Sequence, residues 1–203
     1  MIFWFDSLDS TNNTAKMLQG HVDNLAVIAA ECQSGGRGQG DHLWSSEPGA
    51  NLTFSVVLEF DDGNMRLRAK DAVLLTHIAT WAVREFLGHR GIKSRIKWPN
   101  DIYVGDKKLC GILIENTLDG HDVRYSVIGV GLNLNQTVFP SELPNPVSLR
   151  QLTGGRYDII CSLTELEGYF REAYKKASTS RGRDELRGAF EEALFYINNE
   201  ERR

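Results

Sequence analysis

Hydrophobic positions along this chain alternate between the two-residue period of strands and the longer period of helices. Short apolar runs predict strands at residues 2–5, 25–30 and 52–58, and a denser cluster at residues 93–97, 102–104, 108–117 and 123–135. Helical spacing predicts helices over about residues 10–18, 66–88, 148–152, 164–177 and 184–198. Hairpin-linked strands with helices packed on them indicate the α+β class, with a mixed, largely antiparallel sheet.

The length and composition suit one domain. The chain has 203 residues, of which 41% are apolar and 25% charged, which is enough to bury a core of ordinary size. No linker long enough to separate domains is present, so we expect a single domain over residues 1–203. Its core is expected over about residues 1–177, with a carboxy-terminal helical segment at about 183–198.

Charge and cysteine usage narrow the class of protein. The net charge of −4 argues against a broad nucleic-acid footprint, and no signal-peptide pattern or long apolar run marks export or membrane insertion. The three cysteines have unrelated spacings, which predicts buried free thiols in a reducing compartment. The five histidines show no metal-ligand spacing, so no metal site built from dedicated protein ligands is expected. We therefore expect a cytoplasmic protein that binds neither DNA nor membranes.

Residues that could act in binding or catalysis are most concentrated at positions 97–111, where Lys-Trp-Pro-Asn-Asp precedes a predicted hairpin. The glycine and aspartate at 105–106 suit a two-residue turn, which returns Lys108 to the neighbourhood of Asn100 and Asp101. A lysine beside a carboxylate is most often a solvated pair that contributes under about 1 kcal/mol. Here, however, cations, a carboxylate and an amide converge, and such groups can surround a phosphate.

A glycine-rich segment at residues 33–51 is the second candidate, with glycines at 35, 36, 38 and 40 around Arg37. Glycines permit positive φ angles and close approach of the backbone to a ligand, and successive amides can bind an anion. A mobile surface loop is the alternative. Dinucleotide and P-loop motifs require a helix directly after the glycines, whereas residues 44–51 are turn-rich and lead into a predicted strand. Neither Rossmann nor P-loop chemistry fits.

Together these segments resemble the biotin protein ligase family, and the matching motifs occur in the family's order. They are Asp9-Ser-Thr-Asn12, Gly36-Arg-Gly with Trp44, Lys97-Trp-Pro-Asn-Asp101 with Lys108, and Val127-Ile-Gly-Val-Gly-Leu-Asn133. The resemblance covers about residues 2–135 and implies the catalytic core shared by biotin and lipoate ligases. It implies an enzyme that uses ATP with Mg²⁺ to activate biotin as biotinyl-5′-AMP. The biotinyl group would then pass to a lysine of a biotin carboxyl carrier protein, or of such a domain in a biotin-dependent carboxylase.

The resemblance also implies roles for individual residues. Catalytic roles fall to Lys108, Arg37 and Asp101. Biotin-binding roles fall to Ser10, Thr11, Asn12, Gln33, Gly36, Arg37, Gly38, Gln39, Trp44, Lys108, Gly111 and Gly129. Nucleotide-binding roles fall to Arg37, Lys97, Asn100, Lys108, Gly131 and Asn133. Two alternatives stay open: Ser10 and Thr11 serve only as helix caps, and Trp44 only anchors its loop.

The chain departs from the family pattern in three places. Gln39 stands where the family often has a second loop arginine, which leaves one fewer cation to hold an acyl-adenylate. No strand-rich sequence follows the core, so the family's small carboxy-terminal β-barrel is expected to be absent or truncated. Nor is there room before Ile2 for the winged helix that lets some members bind DNA. We expect a monomer or weak homodimer.

Two other functions remain open. A lipoate or octanoate ligase or transferase shares the fold, but its usual arginine-rich, triple-glycine loop with a following His-Asp is missing here. A non-catalytic binder of biotin or nucleotide is the second alternative, and the retention of Lys108, Arg37 and Asp101 argues against it.

Overall fold

A computed structural model describes residues 1–40, 42–61 and 65–195 of the chain. Its eight strands are β1 (Ile2–Leu8), β2 (Ala26–Gln33), β3 (Leu52–Glu59), β4 (Arg95–Lys97), β5 (Asp101–Val104), β6 (Lys107–Asp119), β7 (Asp122–Leu132) and β8 (Leu194–Phe195). They form one sheet in the order β1-β2-β3-β7-β6-β5-β4-β8. The two outermost pairs, β1 with β2 and β4 with β8, are parallel and the pairs between them are antiparallel. The predicted α+β class and mixed, largely antiparallel sheet are confirmed.

Helices cover both faces of this sheet. They are α1 (Thr11–Met17), α2 (Val73–Gly88), α3 (Leu149–Thr153), α4 (Ile159–Ala177) and α5 (Ser180–Ala193). The large core lies on the face covered by α2, α4 and α5, which pack against one another. A smaller apolar cluster lies beneath α1 on the opposite face, where Ile28 and Val57 meet Ala15. Because side chains alternate across a strand, the Val27 side chain of β2 packs in the large core and the Ile28 side chain packs in the smaller cluster.

The second helix begins later than its sequence pattern predicts. We expected a helix from about residue 66, but α2 starts at Val73 after a short 3₁₀ helix, Ala69–Asp71. The backbone before it pairs with the hairpin between β6 and β7 instead. The Val123 N–H donates to the Leu67 carbonyl at 2.8 Å, and the Ala69 N–H donates to the His121 carbonyl at 2.9 Å. These hydrogen bonds to a distant part of the chain override the local helical pattern.

The carboxy-terminal elements also differ from their predicted bounds. Helix α4 begins at Ile159 rather than residue 164, because the Asp158 carboxylate accepts the Cys161 N–H at 2.7 Å and caps it. Thr179 caps α5 in the same way, so that helix begins at Ser180. It ends at Ala193, where the prediction ran to residue 198, and the next two residues form β8 instead. Residues 196–198 lie outside the described part of the chain.

Two further expectations can be compared with the structure. Cys110 is buried, Cys32 is half-buried and Cys161 is exposed, so the prediction that all three thiols are buried is wrong. Cys161 is exposed because it lies in the first turn of α4, on the side away from the core. Among the described residues, no helix is both long enough and apolar enough to cross a membrane.

Candidate functional site

A cavity of about 500 Å³ opens on the sheet face beside α1. It lies between the glycine-rich loop, the β5–β6 hairpin, the centre of β7 and residues 139–146. All the predicted site residues line it except Gly36. Gly36 lies at the base of the loop, where a β-carbon would come within 2.5 Å of the Trp44 carbonyl oxygen. The volume of the cavity is within the usual range for a small-molecule pocket.

The hairpin places a cation beside a carboxylate at the cavity wall. Residues 105–106 form the predicted two-residue turn, with Gly105 at a φ of +62°. A register shift between Ile102 and Tyr103 offsets the two strands, and the Lys108 Nζ atom lies 2.7 Å from the Asp101 Oδ2 atom. Both side chains are about a quarter to a third exposed, so the pair faces the cavity without being sealed from water.

The backbone of Lys108 is fixed by residues 145–147. The Lys108 N–H donates to the Asn145 carbonyl at 2.8 Å, and the Val147 N–H donates to the Lys108 carbonyl at 3.0 Å. The proline-rich connection therefore lies beside β6 and forms one wall of the cavity through Phe139, Leu143 and its neighbours. This wall could not be predicted from the sequence, because an irregular Pro-Asn-Pro segment carries no periodic signal. Tyr103 and Trp98, which also line the cavity, were missed as well.

The glycine-rich loop folds back on itself over the cavity. The Trp44 N–H donates to the Gly36 carbonyl at 2.9 Å, and the Gly38 N–H donates to the His42 carbonyl at 2.7 Å. Of the four glycines, Gly40 has a positive φ, whereas the other three do not. Only Gly40 of the four therefore uses the freedom to adopt a positive φ. Gly35 is needed for close packing instead, because a β-carbon there would lie 2.2 Å from the Asp9 carboxylate.

Arg37 is the cation that the loop directs toward the cavity, and it is paired with a carboxylate. Its Nη2 atom lies 2.7 Å from the Glu115 Oε2 atom, which also accepts from the Asn12 Nδ2 atom at 2.8 Å. Burial raises the pKa of Glu115, but hydrogen bonds from Lys16 and Asn12 and the charge of Arg37 outweigh burial, so the net pKa lies below its ordinary value. Glu115 was not among the residues predicted from the sequence. Its position on the predicted strand could have indicated it, because it follows the cavity-lining Leu113 by two residues and so faces the same side of the sheet.

The polar residues at the start of α1 are buried and already hydrogen-bonded within the protein. Ser10 occupies the N-cap position but makes no side-chain cap hydrogen bond. The Gln33 Oε1 atom instead accepts the Thr11 N–H at 2.8 Å. The Ser55 hydroxyl lies 2.8 Å from the Thr11 hydroxyl and 2.6 Å from the Asn12 Oδ1 atom. The alternative that Ser10 and Thr11 act as side-chain caps therefore fails, and Ser10 and the Gln33 amide group face the cavity.

Trp44 lies on the cavity floor, and the glycines of β6 and β7 accommodate it. A β-carbon at Gly131 would lie 2.2 Å from the indole Cε2 atom, and one at Gly111 would lie 2.9 Å from Cζ3. A β-carbon at Gly129 would lie 2.1 Å from the Asn12 Oδ1 atom. The Trp44 and Asn12 side chains therefore occupy the space beside Gly131 and Gly129 on this face of β7. The buried Trp44 Nε1 atom has no hydrogen-bond partner among the described residues.

The amides proposed for a nucleotide base are partly used by the backbone. The Asn133 Nδ2 atom donates to the Val147 carbonyl at 3.1 Å, and the Asn100 Nδ2 atom donates to the Ile112 carbonyl. At least one N–H of each amide is therefore already engaged within the protein. Lys97, at the end of β4, lines the same cavity. Within residues 1–40, 42–61 and 65–195, no three His, Cys, Asp or Glu side chains are grouped to hold a metal ion.

Comparison with protein families gives one match over most of the chain. A model of the family described as "Biotin/lipoate A/B protein ligase family" matches residues 4–133. The "Bifunctional ligase/repressor BirA" of Bacillus subtilis is 31% identical over 183 residues, which are 88% of this chain and 55% of that protein. The "Biotin--[acetyl-CoA-carboxylase] ligase" of Paracoccus denitrificans is 32% identical over 158 residues, covering 74% of this chain and 63% of that protein.

Comparison with solved structures agrees with this match. The biotin protein ligase from Aquifex aeolicus in complex with biotin and ATP superposes with a TM-score of 0.78 and 27% identity. The alignment covers 96% of this chain and 78% of that one. This chain spans about half the length of the BirA protein it matches.

Proposed function

The chain belongs to the biotin/lipoate A/B protein ligase family, and from that premise we propose that it activates biotin with ATP and transfers it to a carrier protein. The product of the first step would be biotinyl-5′-AMP. In the second step, a lysine of a biotin carboxyl carrier protein, or of the corresponding carboxylase domain, would receive the biotinyl group. The observation that carries this proposal is the Lys108–Asp101 pair, 2.7 Å apart, which faces the glycine-rich loop across one cavity.

In the first step, a biotin carboxylate oxygen attacks the α-phosphorus of ATP. The bond from that phosphorus to the oxygen bridging it to the β-phosphorus breaks, and pyrophosphate leaves. Negative charge builds at the α-phosphate, beside which we place the Lys108 ammonium group. Asp101 holds that group in position, and a preorganised donor of this kind commonly changes the rate by about 10²–10³. Arg37 and the loop amides support the same charge.

Mg²⁺ would enter as the complex with ATP and remain on the substrate's phosphates. Two carboxylates at or beside the cavity are each engaged with a cation, Asp101 with Lys108 and Glu115 with Arg37. We accordingly assign the metal to the phosphates of ATP rather than to these side chains.

Biotin recognition requires polar partners for the ureido group and apolar walls for its ring and chain. Ser10, Thr11 and Gln33 line the end of the cavity next to α1 and offer hydroxyl and amide groups. Each buried ureido group left unpaired would cost about 1–3 kcal/mol, so these partners decide specificity. Asn100, Asn133 and Lys97 lie at the other end and are proposed to contact the nucleotide.

In the transfer step, the amine of the carrier lysine attacks the acyl carbon of the intermediate. A new amide bond forms, the bond between the acyl carbon and the phosphate oxygen breaks, and AMP leaves. Lys108, next to that oxygen, is placed to stabilise the charge that the leaving phosphate gains.

The alternatives are less well supported. The lipoate and octanoate enzymes share the fold, but the glycine-rich loop here has the Gly36-Arg-Gly and Trp44 pattern, and the Paracoccus denitrificans relative is named as a biotin ligase. A non-catalytic binder has no need for the ion pair on the hairpin. The expectations of a cytoplasmic location, no DNA or membrane binding, a monomer or weak homodimer, and a single domain without a β-barrel stay predictions.

Incubation with radiolabelled biotin, ATP, Mg²⁺ and a biotin carboxyl carrier domain tests the proposal. We expect label in the carrier that survives denaturation and depends on ATP. Replacing the acceptor lysine of the carrier with arginine is the matched control and abolishes labelling. Label that stays with this protein, or a carrier left unlabelled, would contradict the transfer step.

A further inference from the structure

Three side chains, one from the glycine-rich loop and two from α1, converge on the Glu115 carboxylate of β6. Its Oε2 atom lies 2.7 Å from the Arg37 Nη2 atom and accepts from the Asn12 Nδ2 atom at 2.8 Å. Its Oε1 atom pairs with the Lys16 ammonium group. Glu115 thus connects the glycine-rich loop to both the start and the last turn of α1.

Glu115 does not line the cavity and reaches it only through these partners. Arg37, which does line the cavity, is held at one edge of its guanidinium group and has further N–H donors on its other edges. Lys16 and Asn12 also bind the carboxylate, at Oε1 and Oε2 respectively, and help to hold Glu115 in place.

Near Arg37, the backbone hydrogen bonds of the loop stay within it: they join the Trp44 N–H to the Gly36 carbonyl and the Gly38 N–H to the His42 carbonyl. Other parts of the loop are fixed to the rest of the protein, since the Gly35 N–H donates to the Asp9 carbonyl at 2.8 Å and the Trp44 indole packs on Gly131 of β7. The ion pair between Arg37 and Glu115 adds a connection from Arg37 itself to β6.

We propose that Glu115 is a positioning residue that ties the glycine-rich loop to β6 and aims Arg37 at the phosphate of the bound intermediate. This proposal rests on the proposed function for the identity of that phosphate. The connection between loop and sheet is a property of the protein alone and can be tested without any ligand.

The first test measures cleavage of the Arg37–Gly38 bond by trypsin, quantified by mass spectrometry without ligand. The variant is Glu115→Gln, which keeps the side chain's shape and removes its charge. We expect this bond to be cut about three- to tenfold faster, because losing a partly exposed charged hydrogen bond opens the loop more often.

Glu59→Gln is the matched control. Glu59 is 22% exposed and pairs with an arginine that is 39% exposed, against 20% and 37% for Glu115 and Arg37. It lies outside the cavity, and its substitution should leave cleavage at Arg37 at the parent rate. Equal cleavage in the parent and both variants would overturn the connection between loop and sheet.

The second test measures release of preformed biotinyl-5′-AMP from the parent and Glu115→Gln proteins. We expect release to quicken about three- to tenfold with Glu115→Gln, with Glu115→Asp lying between the two. Unchanged release would show that Glu115 does not aim Arg37 at the phosphate. Slower release would show that Glu115 competes with the phosphate for Arg37. Either result would overturn this role of Glu115. If the protein forms no biotinyl-5′-AMP, the proposed function fails, while the cleavage test still decides the role of Glu115.

Lys16→Met serves as the second variant if Glu115→Gln does not fold. It removes one of the groups that hold the Glu115 carboxylate, so cleavage at Arg37 should rise in the same direction by a smaller factor. Cleavage at the parent rate in Lys16→Met would then count against the proposal.

Discussion

At the scale of single residues, the charge of the cavity is largely balanced before any substrate enters. Lys108 pairs with Asp101 and Arg37 pairs with Glu115, while Lys97 adds a further positive charge. A cavity with so little excess charge attracts anions weakly from a distance. We therefore expect its cations to act through direct contact with the phosphate, where their geometry matters most.

The hairpin lysine gives the first prediction. Lys108→Ala should lower biotinyl-5′-AMP formation by about 10²-fold or more and leave the fold intact, because a partly exposed ion pair contributes little stability while a phosphate-facing cation stabilises developing charge. Pyrophosphate release with biotin and ATP is the measurement.

Lys107→Ala is the control for this substitution. Lys107 is the preceding residue on β6, is exposed and does not line the cavity, so its loss should leave the rate near that of the parent. Pyrophosphate release at the parent rate from Lys108→Ala would show that the assignment of Lys108 is wrong.

Gln39 gives the second prediction, since it lines the cavity where a loop arginine is common in the family. Gln39→Arg should slow dissociation of biotinyl-5′-AMP by about tenfold, the effect of a single charged hydrogen bond. Gln39→Glu should speed it, and both effects should weaken with salt. Filter binding without carrier measures the release. An unchanged off-rate in the arginine variant would place residue 39 away from the phosphate.

The depressed pKa of Glu115 gives a prediction about pH. A carboxyl group whose folded pKa lies below its unfolded value of about 4.3 stabilises the protein above that value, and this stabilisation is lost as the pH falls through the folded pKa. The parent should therefore exceed Glu115→Gln in unfolding free energy by up to about 1 kcal/mol at pH 7. Urea unfolding below about pH 4 should show a smaller difference, and a constant or growing difference would contradict the ion-pair account.

At the scale of elements, the sequence predicted what local chemistry decides. The β5–β6 hairpin follows from its glycine turn, and short apolar runs specify β2 and β3. The start of α2 and the existence of β8 were not predictable in this way. Both depend on pairing with distant strands, which no local period reveals.

The floor of the cavity gives a prediction at this scale. Gly131→Ala should destabilise the protein by about 1–3 kcal/mol, because the new methyl group would overlap the Trp44 indole and displace it. Urea unfolding is the measurement. Gly188→Ala is the control and should change the free energy of unfolding in the opposite direction. Gly188 lies on α5 with open space around it, so the substitution should stabilise the protein by about 0.4–1 kcal/mol. Equal stability of Gly131→Ala and the parent would mean that Trp44 does not rest on β7.

At the scale of the whole molecule, one cavity collects residues from β2, β4, β5, β6 and β7 and from the segments that connect the strands. The motifs around Ser10, Arg37, Lys108 and Asn133 were found in the sequence because each carries chemistry at a short spacing. Glu115 and residues 139–146 were not, because their roles arise where the fold brings distant segments together. The residue types of the site were thus predictable, whereas the contacts that hold them were not.

Formation of biotinyl-5′-AMP by the purified protein decides whether this cavity activates biotin. The protein is mixed with ATP, Mg²⁺ and either biotin, lipoate or octanoate, and the acyl-adenylates are quantified by mass spectrometry. We expect biotinyl-5′-AMP from biotin, at least about 10²-fold less of it from Lys108→Ala, and little product from the other two acids. No biotinyl-5′-AMP, or equal adenylation of lipoate or octanoate, would show that the cavity does not select and activate biotin.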